Sequence, residues 1–248
     1  MIHLFLSDFF IYLFLATWGS AGIYPGSGLS QEMECAECHS ELVENEVSHY
    51  PVQDACDNCH ESTGEEHPGD SLGFTLMDQI PELCLSCHSK SYETDSSTTN
   101  NIGRLVKGKM LAHSAIEGGG CSVCHKSHGS EYQNLLVDLY PEDDYSEAST
   151  AEFGLCFLCH DTDLLEAEET EWGTNFRNGN QNLHWLHTNG SKGRNCRMCH
   201  NLHGSEQKFL IEEEVRFGNW EMSLNFIPEE QGGSCLTGCH GKLSYSRE

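Results

Sequence analysis

The side chains in this sequence that could do chemistry are its cysteines and histidines, and they recur in one pattern. Cys35-Ala-Glu-Cys38-His39 reads C-x-x-C-H. The same spacing returns at Cys56, Cys59 and His60, at Cys84, Cys87 and His88, at Cys121, Cys124 and His125, at Cys156, Cys159 and His160, and at Cys196, Cys199 and His200. A seventh copy, Cys235-Leu-Thr-Gly-Cys239-His240, has one extra residue between its thiols. All 14 cysteines fall in these motifs. Two thiols at this spacing can add across the two vinyl groups of one porphyrin, and a histidine placed directly after them can bind the iron from one side. The expected cofactor is haem c, covalently attached, in seven copies.

Other chemistries of paired cysteines fit less well. A zinc ribbon joins two C-x-x-C units and has no need of a histidine after each. A dithiol redox motif occurs once, on a βα unit. A disulfide within C-x-x-C closes too short a loop to staple a fold.

The histidine count extends the reading. Of 15 histidines, seven sit in the motifs and His3 lies in an apolar leader. Seven remain: His49, His67, His113, His128, His184, His187 and His203. One free histidine per motif predicts that every iron is held by two imidazoles. Met33, Met77, Met110, Met198 and Met222 show no regular offset from the motifs and rank below histidine as axial ligands. Irons closed on both sides offer no position for a substrate, so no catalytic residue is assigned.

The elements that must position these groups form a repeat. One unit reads free His, C-x-x-C-H, free His, spacer, C-x-x-C-H. Unit 1 spans residues 49–93, unit 2 residues 102–162 and unit 3 residues 184–248, where His187 or His184 fills the first position. Residues 22–48 carry a half unit with the Cys35 motif. Its iron has no obvious histidine upstream, so its second ligand is expected from far away, either from His184 or His187 or from another subunit. His128-Gly129-Ser130 matches His203-Gly204-Ser205, and Leu135-Leu136 matches Leu210-Ile211 at the same offset. Residues 94–101 read as a polar linker and 163–183 as an acidic one. Seven motifs over the residues after position 21 leave about 32 residues per haem, too few for an ordinary apolar core. The expected fold is mostly irregular, with short α-helices at the motifs, little β structure, and a chain of stacked haems in place of the core. Residues 133–140 and 208–217 read as strands or as loops lying on porphyrin faces. Pro141-Glu-Asp-Asp144 reads as an acidic turn.

Residues 1–21 read as a signal peptide: Ile2–Leu15 is mostly apolar and Gly19-Ser20-Ala21 supplies small residues for cleavage. No Lys or Arg precedes the apolar run. The mature chain is expected to be secreted, extracellular or periplasmic, with no membrane span. Its 39 acidic against 13 basic residues give a formal charge of −26, which excludes nucleic acid and anionic membrane surfaces as partners.

From Cys121-x-x-Cys124-His125-x-x-His128-Gly129-Ser130 through Leu135-Leu136 to Cys156-x-x-Cys159-His160, the chain resembles multihaem cytochromes with doubled C-x-x-C-H motifs, a class III cytochrome c-like group. The likeness covers roughly residues 33–242. It implies bis-histidine haems in an unbroken chain and an electron-transfer role, with redox proteins or extracellular electron acceptors as partners. The chain is also similar to extracellular cytochrome filament subunits, which implies a route to self-association with intersubunit haem ligation. Multihaem reductases share the motifs but need one open iron, and they often carry a lysine in place of a motif histidine, which does not occur here.

Overall fold

The computed structural model describes residues 35–93, 98–99, 101–108, 111–146 and 148–248. The leader, His3 and most of the 94–101 linker lie outside these residues.

Each of the first six motifs closes one tight turn. The amide of the second cysteine, or of the histidine, returns to the carbonyl of the first cysteine: Cys59 N to Cys56 O is 3.2 Å, His125 N to Cys121 O 3.0 Å and His160 N to Cys156 O 2.9 Å. The turns are 3-10 at Cys56–Asn58, Cys121–Val123 and Cys196–Met198, and α-helical at Cys35–Cys38, Glu82–His88 and Gly154–Phe157. Three residues per 3-10 turn bring two thiols spaced by three positions onto one side. The seventh motif differs. Its first cysteine ends the strand Gly232–Cys235, and the Cys239 amide donates to Thr237 Oγ1 at 3.1 Å. The extra residue replaces the helical turn with a threonine-centred one.

The strands are short and mostly paired two by two. Two of the pairings join one repeat unit to the next. Val47–Ser48, just before His49, pairs antiparallel with Gly129–Ser130, just after His128. Leu111–Ala112, before His113, pairs in the same way with Gly204–Ser205, after His203. Each junction is extended by one more bond, His49 N to His128 O at 3.1 Å and His113 N to His203 O at 3.2 Å. The units read from the sequence as successive blocks are therefore laced into one another.

Residues 133–140 hold no strand, only an isolated bridge from Leu136 to His125, and residues 208–217 are partly strand. Each opens on a 3-10 turn, Gln133–Leu135 and Lys208–Leu210, and the second continues into the strand Glu214–Phe217. The acidic 163–183 segment contains the helix Asp163–Glu166, which is not wholly exposed because Leu165 is buried. Among the described residues the apolar core is thin and lies toward the C-terminal half. Tyr140, Phe153 and Leu165 form one cluster, with Cys156 and Cys196 packed against it. Met198, Val215 and Leu224 form the other, against Cys199.

Candidate metal centres

All 14 free and motif histidines after His3 come together in facing pairs. His39 faces His67, His49 faces His88, and His60 faces His128, with ring centres 6.0, 6.3 and 6.2 Å apart. His113 faces His160 and His125 faces His203, both at 6.1 Å. His184 faces His200 at 6.4 Å and His187 faces His240 at 6.5 Å. Every pair joins one motif histidine to one free histidine. A metal–imidazole bond of about 2 Å, with about 1.1 Å from nitrogen to ring centre, repeated on both sides, spans about 6.2 Å. The gaps thus fit one iron between two imidazoles. They are too wide for direct ring stacking and too narrow for an intervening side chain. His67, and neither His184 nor His187, stands opposite His39, so the half unit is completed from within the chain.

The tautomers agree with this. His49 Nδ1 lies 2.9 Å from Ser127 O, His125 Nδ1 2.9 Å from Asn134 O, His200 Nδ1 2.8 Å from Phe209 O, His187 Nδ1 2.6 Å from Leu183 O and His240 Nδ1 2.6 Å from Gly241 O. A ring that donates its Nδ1–H to a carbonyl leaves Nε2 unprotonated for a metal, and the bond raises its basicity. Burial keeps His184 and His203 neutral as well. Burial, then His200 and His187, lowers His184 to about 4. Burial, then His125 and His113, lowers His203 to about 4. A neutral imidazole is the ligating form.

The carbonyls that receive these protons rest on a feature the sequence did not disclose as functional. Asn134 and Leu135 have φ of 55° and 57°, and Phe209 and Leu210 have 60° and 56°. Consecutive left-handed residues other than glycine cost energy and persist where the surroundings enforce them. Here they turn the Asn134 and Phe209 carbonyls toward the motif histidine nine residues earlier. Buried serines hold both turns: Ser130 Oγ donates to Leu136 O and Ser205 Oγ to Ile211 O. The matched His-Gly-Ser and Leu-Leu or Leu-Ile segments were the visible trace of this support.

Two pairs depart from the rest: His187 and His240 are tilted at 46°, and His113 and His160 are inclined most. The His113 and His160 rings are inclined at 64°, whereas five pairs lie within 5° to 22° of parallel. His113 Nδ1 also accepts a bond, from Ala115 N at 3.2 Å, in place of donating one. An accepting Nδ1 puts the neutral ring's proton on Nε2, so ligation through Nε2 needs the other tautomer; in that tautomer the ring lacks the carbonyl partner, is less basic, and favours a higher potential. The centre at Cys156–His160 is expected to give the most anisotropic low-spin electron paramagnetic resonance signal and to be reduced before its neighbours. Redox titration followed by that resonance checks both; an indistinguishable set of signals would contradict the assignment.

The 14 cysteines are free of disulfides, and they link the motifs in chain order. Cys35 lies beside Cys56, Cys59 near Cys87, Cys84 beside Cys121, Cys124 near Cys159, Cys156 beside Cys196, and Cys199 near Cys235 and Cys239. First cysteines meet first cysteines and second meet second, alternately, up to the irregular seventh motif. Among the described residues no three His, Cys, Asp or Glu side chains converge as a metal site.

A family model described as the doubled CXXCH motif matches residues 49–92 and 113–164. No curated protein and no solved structure matches the chain. This match over two segments supports a multihaem c-type cytochrome: its CXXCH motifs imply covalently bound haem c and point to electron transfer.

Proposed function

We propose that the chain is a secreted heptahaem electron conduit in which each iron is held by one of the seven histidine pairs. The observation that carries this reading is the pairing itself, in which seven motif histidines each face a free one at 6.0–6.5 Å. When bound, the haems supply the redox centres. The chain's own residues would order them, hold five imidazoles with Nδ1 on a backbone carbonyl, and offer two imidazoles to each iron. The chain-order neighbourhood of the cysteines favours a linear relay, from the Cys35 motif at one end to the Cys235 motif at the other.

The charge pattern supports a cationic partner at the first end. No Lys or Arg occurs before Lys90, so the first three motifs lie in a stretch whose only fixed side-chain charges are carboxylates. Among the described residues a single Lys or Arg ion pair forms, Lys107 with Glu82 at 3.6 Å. Acidity left uncompensated in this way steers basic redox proteins or cationic electron acceptors, and the attraction falls with salt. A filament built by exchanging haem ligands between subunits loses its motivation, since every motif histidine finds its partner within one chain.

The test is a pyridine haemochrome count on the purified protein, with spin state and carbon monoxide reactivity. Seven haems per chain, all low-spin and inert to carbon monoxide, are expected. A high-spin, ligand-accepting haem would favour the multihaem reductase reading.

A further inference from the structure

The pairings follow a rule that runs from unit to unit, and the rule breaks at one end. Within a unit, the first free histidine faces the second motif: His49 with His88, His113 with His160, His187 with His240. The second free histidine faces the first motif of the preceding unit: His67 with His39, His128 with His60, His203 with His125. The Cys35 motif thus takes the place of a first motif in this rule. By the same rule His200 would face a histidine from another unit; it faces His184 of its own unit.

The backbone is substituted in step with the histidine. In units 1 and 2 the strand before the first free histidine pairs with the His-Gly-Ser strand of the following unit. In unit 3 the equivalent segment folds back on itself as the hairpin Arg177–Asn178 with Gln181–Asn182. The C-terminal strand Leu243–Ser246 adjoins it: Gly179 N donates to Ser246 O at 2.6 Å, and Ser246 N to Asn178 Oδ1 at 3.1 Å. Asn182, fully buried, then sets the helix Leu183–Thr188. Its Oδ1 accepts from Trp185 N at 3.2 Å, and its Nδ2 donates to Ala167 O at 2.9 Å and to Asp163 O at 3.2 Å. His184 Nδ1 meets the buried Thr174 hydroxyl at 2.9 Å, whereas five of the other rings use a backbone carbonyl.

We infer that residues 174–184, with the strand Leu243–Ser246, form a cap over the iron site at Cys196–His200, and that His184 is the ligand that closes this iron in the position where the pairing rule places a histidine of another unit. The inference rests on the bis-histidine reading and deepens it. Without His184 that iron becomes a binding site for one small axial ligand, imidazole on ferric or carbon monoxide on ferrous iron.

The experiment compares the full-length holoprotein with His184→Gly by haem count, spin state and carbon monoxide binding. Wild type inert at every haem, with the variant binding carbon monoxide at a single haem and returning to the low-spin form in imidazole, is the expected result. Adding Cys196→Ala and Cys199→Ala to the variant should abolish that binding. His184→Met, which keeps a sixth ligand, should stay low-spin and raise the potential of one haem; it serves as the readout if the glycine variant loses haem. An inert wild type with an equally inert His184→Gly overturns the cap while leaving the bis-histidine reading intact. Carbon monoxide binding that survives removal of the Cys196 motif also overturns it, because His184 would then serve another iron. Carbon monoxide binding by the wild type would refute the bis-histidine reading first.

Discussion

Produced without haem attachment, the chain will be unfolded. Its far-ultraviolet circular dichroism will be that of a coil, and protease will degrade it without a resistant core. The helices and strands between Cys35 and Glu248 run from two to seven residues, whereas an isolated helix in water is marginal below about 12–15 residues. Tertiary burial must supply the stability, yet among the described residues the buried apolar side chains are only Leu85, Tyr140, Phe153, Leu165, Leu183, Met198, Val215 and Leu224. Leu85 alone among them precedes Tyr140, so the first three motifs have almost no apolar side-chain core of their own. Uncompensated carboxylates add repulsion in the same region. Haem attachment supplies both the missing apolar surface and the cross-links between distant segments, and its binding free energy becomes folding free energy, as in small metal-dependent domains. The check is the leaderless chain expressed where no haem is attached. A cooperative thermal transition in that apoprotein would show that protein–protein contacts suffice.

Replacing His203 with alanine will open a haem that His203 does not adjoin in sequence. His203 lies three residues after the motif histidine His200, and a local reading would assign it to that neighbourhood. It instead faces His125 at 6.1 Å, with rings only 5° from parallel, and the Leu111–Ala112 to Gly204–Ser205 pairing fixes it there. His203→Ala is expected to convert one low-spin haem from inert to carbon monoxide-reactive and to remove one resonance of the near-parallel class. Adding Cys121→Ala and Cys124→Ala should eliminate the new reactivity, whereas adding Cys196→Ala and Cys199→Ala should leave it. The reverse pattern would mean that ligation follows sequence proximity and that the units are not interlocked. A helical or sheet scaffold would tolerate such a change as a local cavity. Here the same side chain joins two units, so a fall in thermal stability should accompany the change in spin state.

How much of this was legible beforehand depends on the range of the interaction. The Cys-x-x-Cys-His turns are closed by bonds spanning three or four residues, so thiol and histidine placement could be read from spacing alone. The seventh motif kept its cysteines and histidine but not its turn, because one inserted residue breaks that local register. The repeat was visible too, since His128-Gly129-Ser130 and His203-Gly204-Ser205 each support the same serine-held turn. The left-handed pairs Asn134-Leu135 and Phe209-Leu210 were not, because Asn134 alone is of a type that favours positive φ, while Leu135, Phe209 and Leu210 are not. The two candidates for the first position of unit 3, His184 and His187, could not be separated by spacing, as both sit on one short helix.

The sequence by itself determined the cofactor chemistry, the number of attachment motifs and a histidine inventory that balances them, since each follows from covalent spacing or from a count. The tertiary structure alone decided which histidine faces which. His125 and His203 meet, as do His60 and His128, only because strands from consecutive units pair across long stretches of chain. The tertiary fold likewise set His67 opposite His39 and His184 opposite His200, pairings that join residues too far apart in the sequence for local spacing to fix.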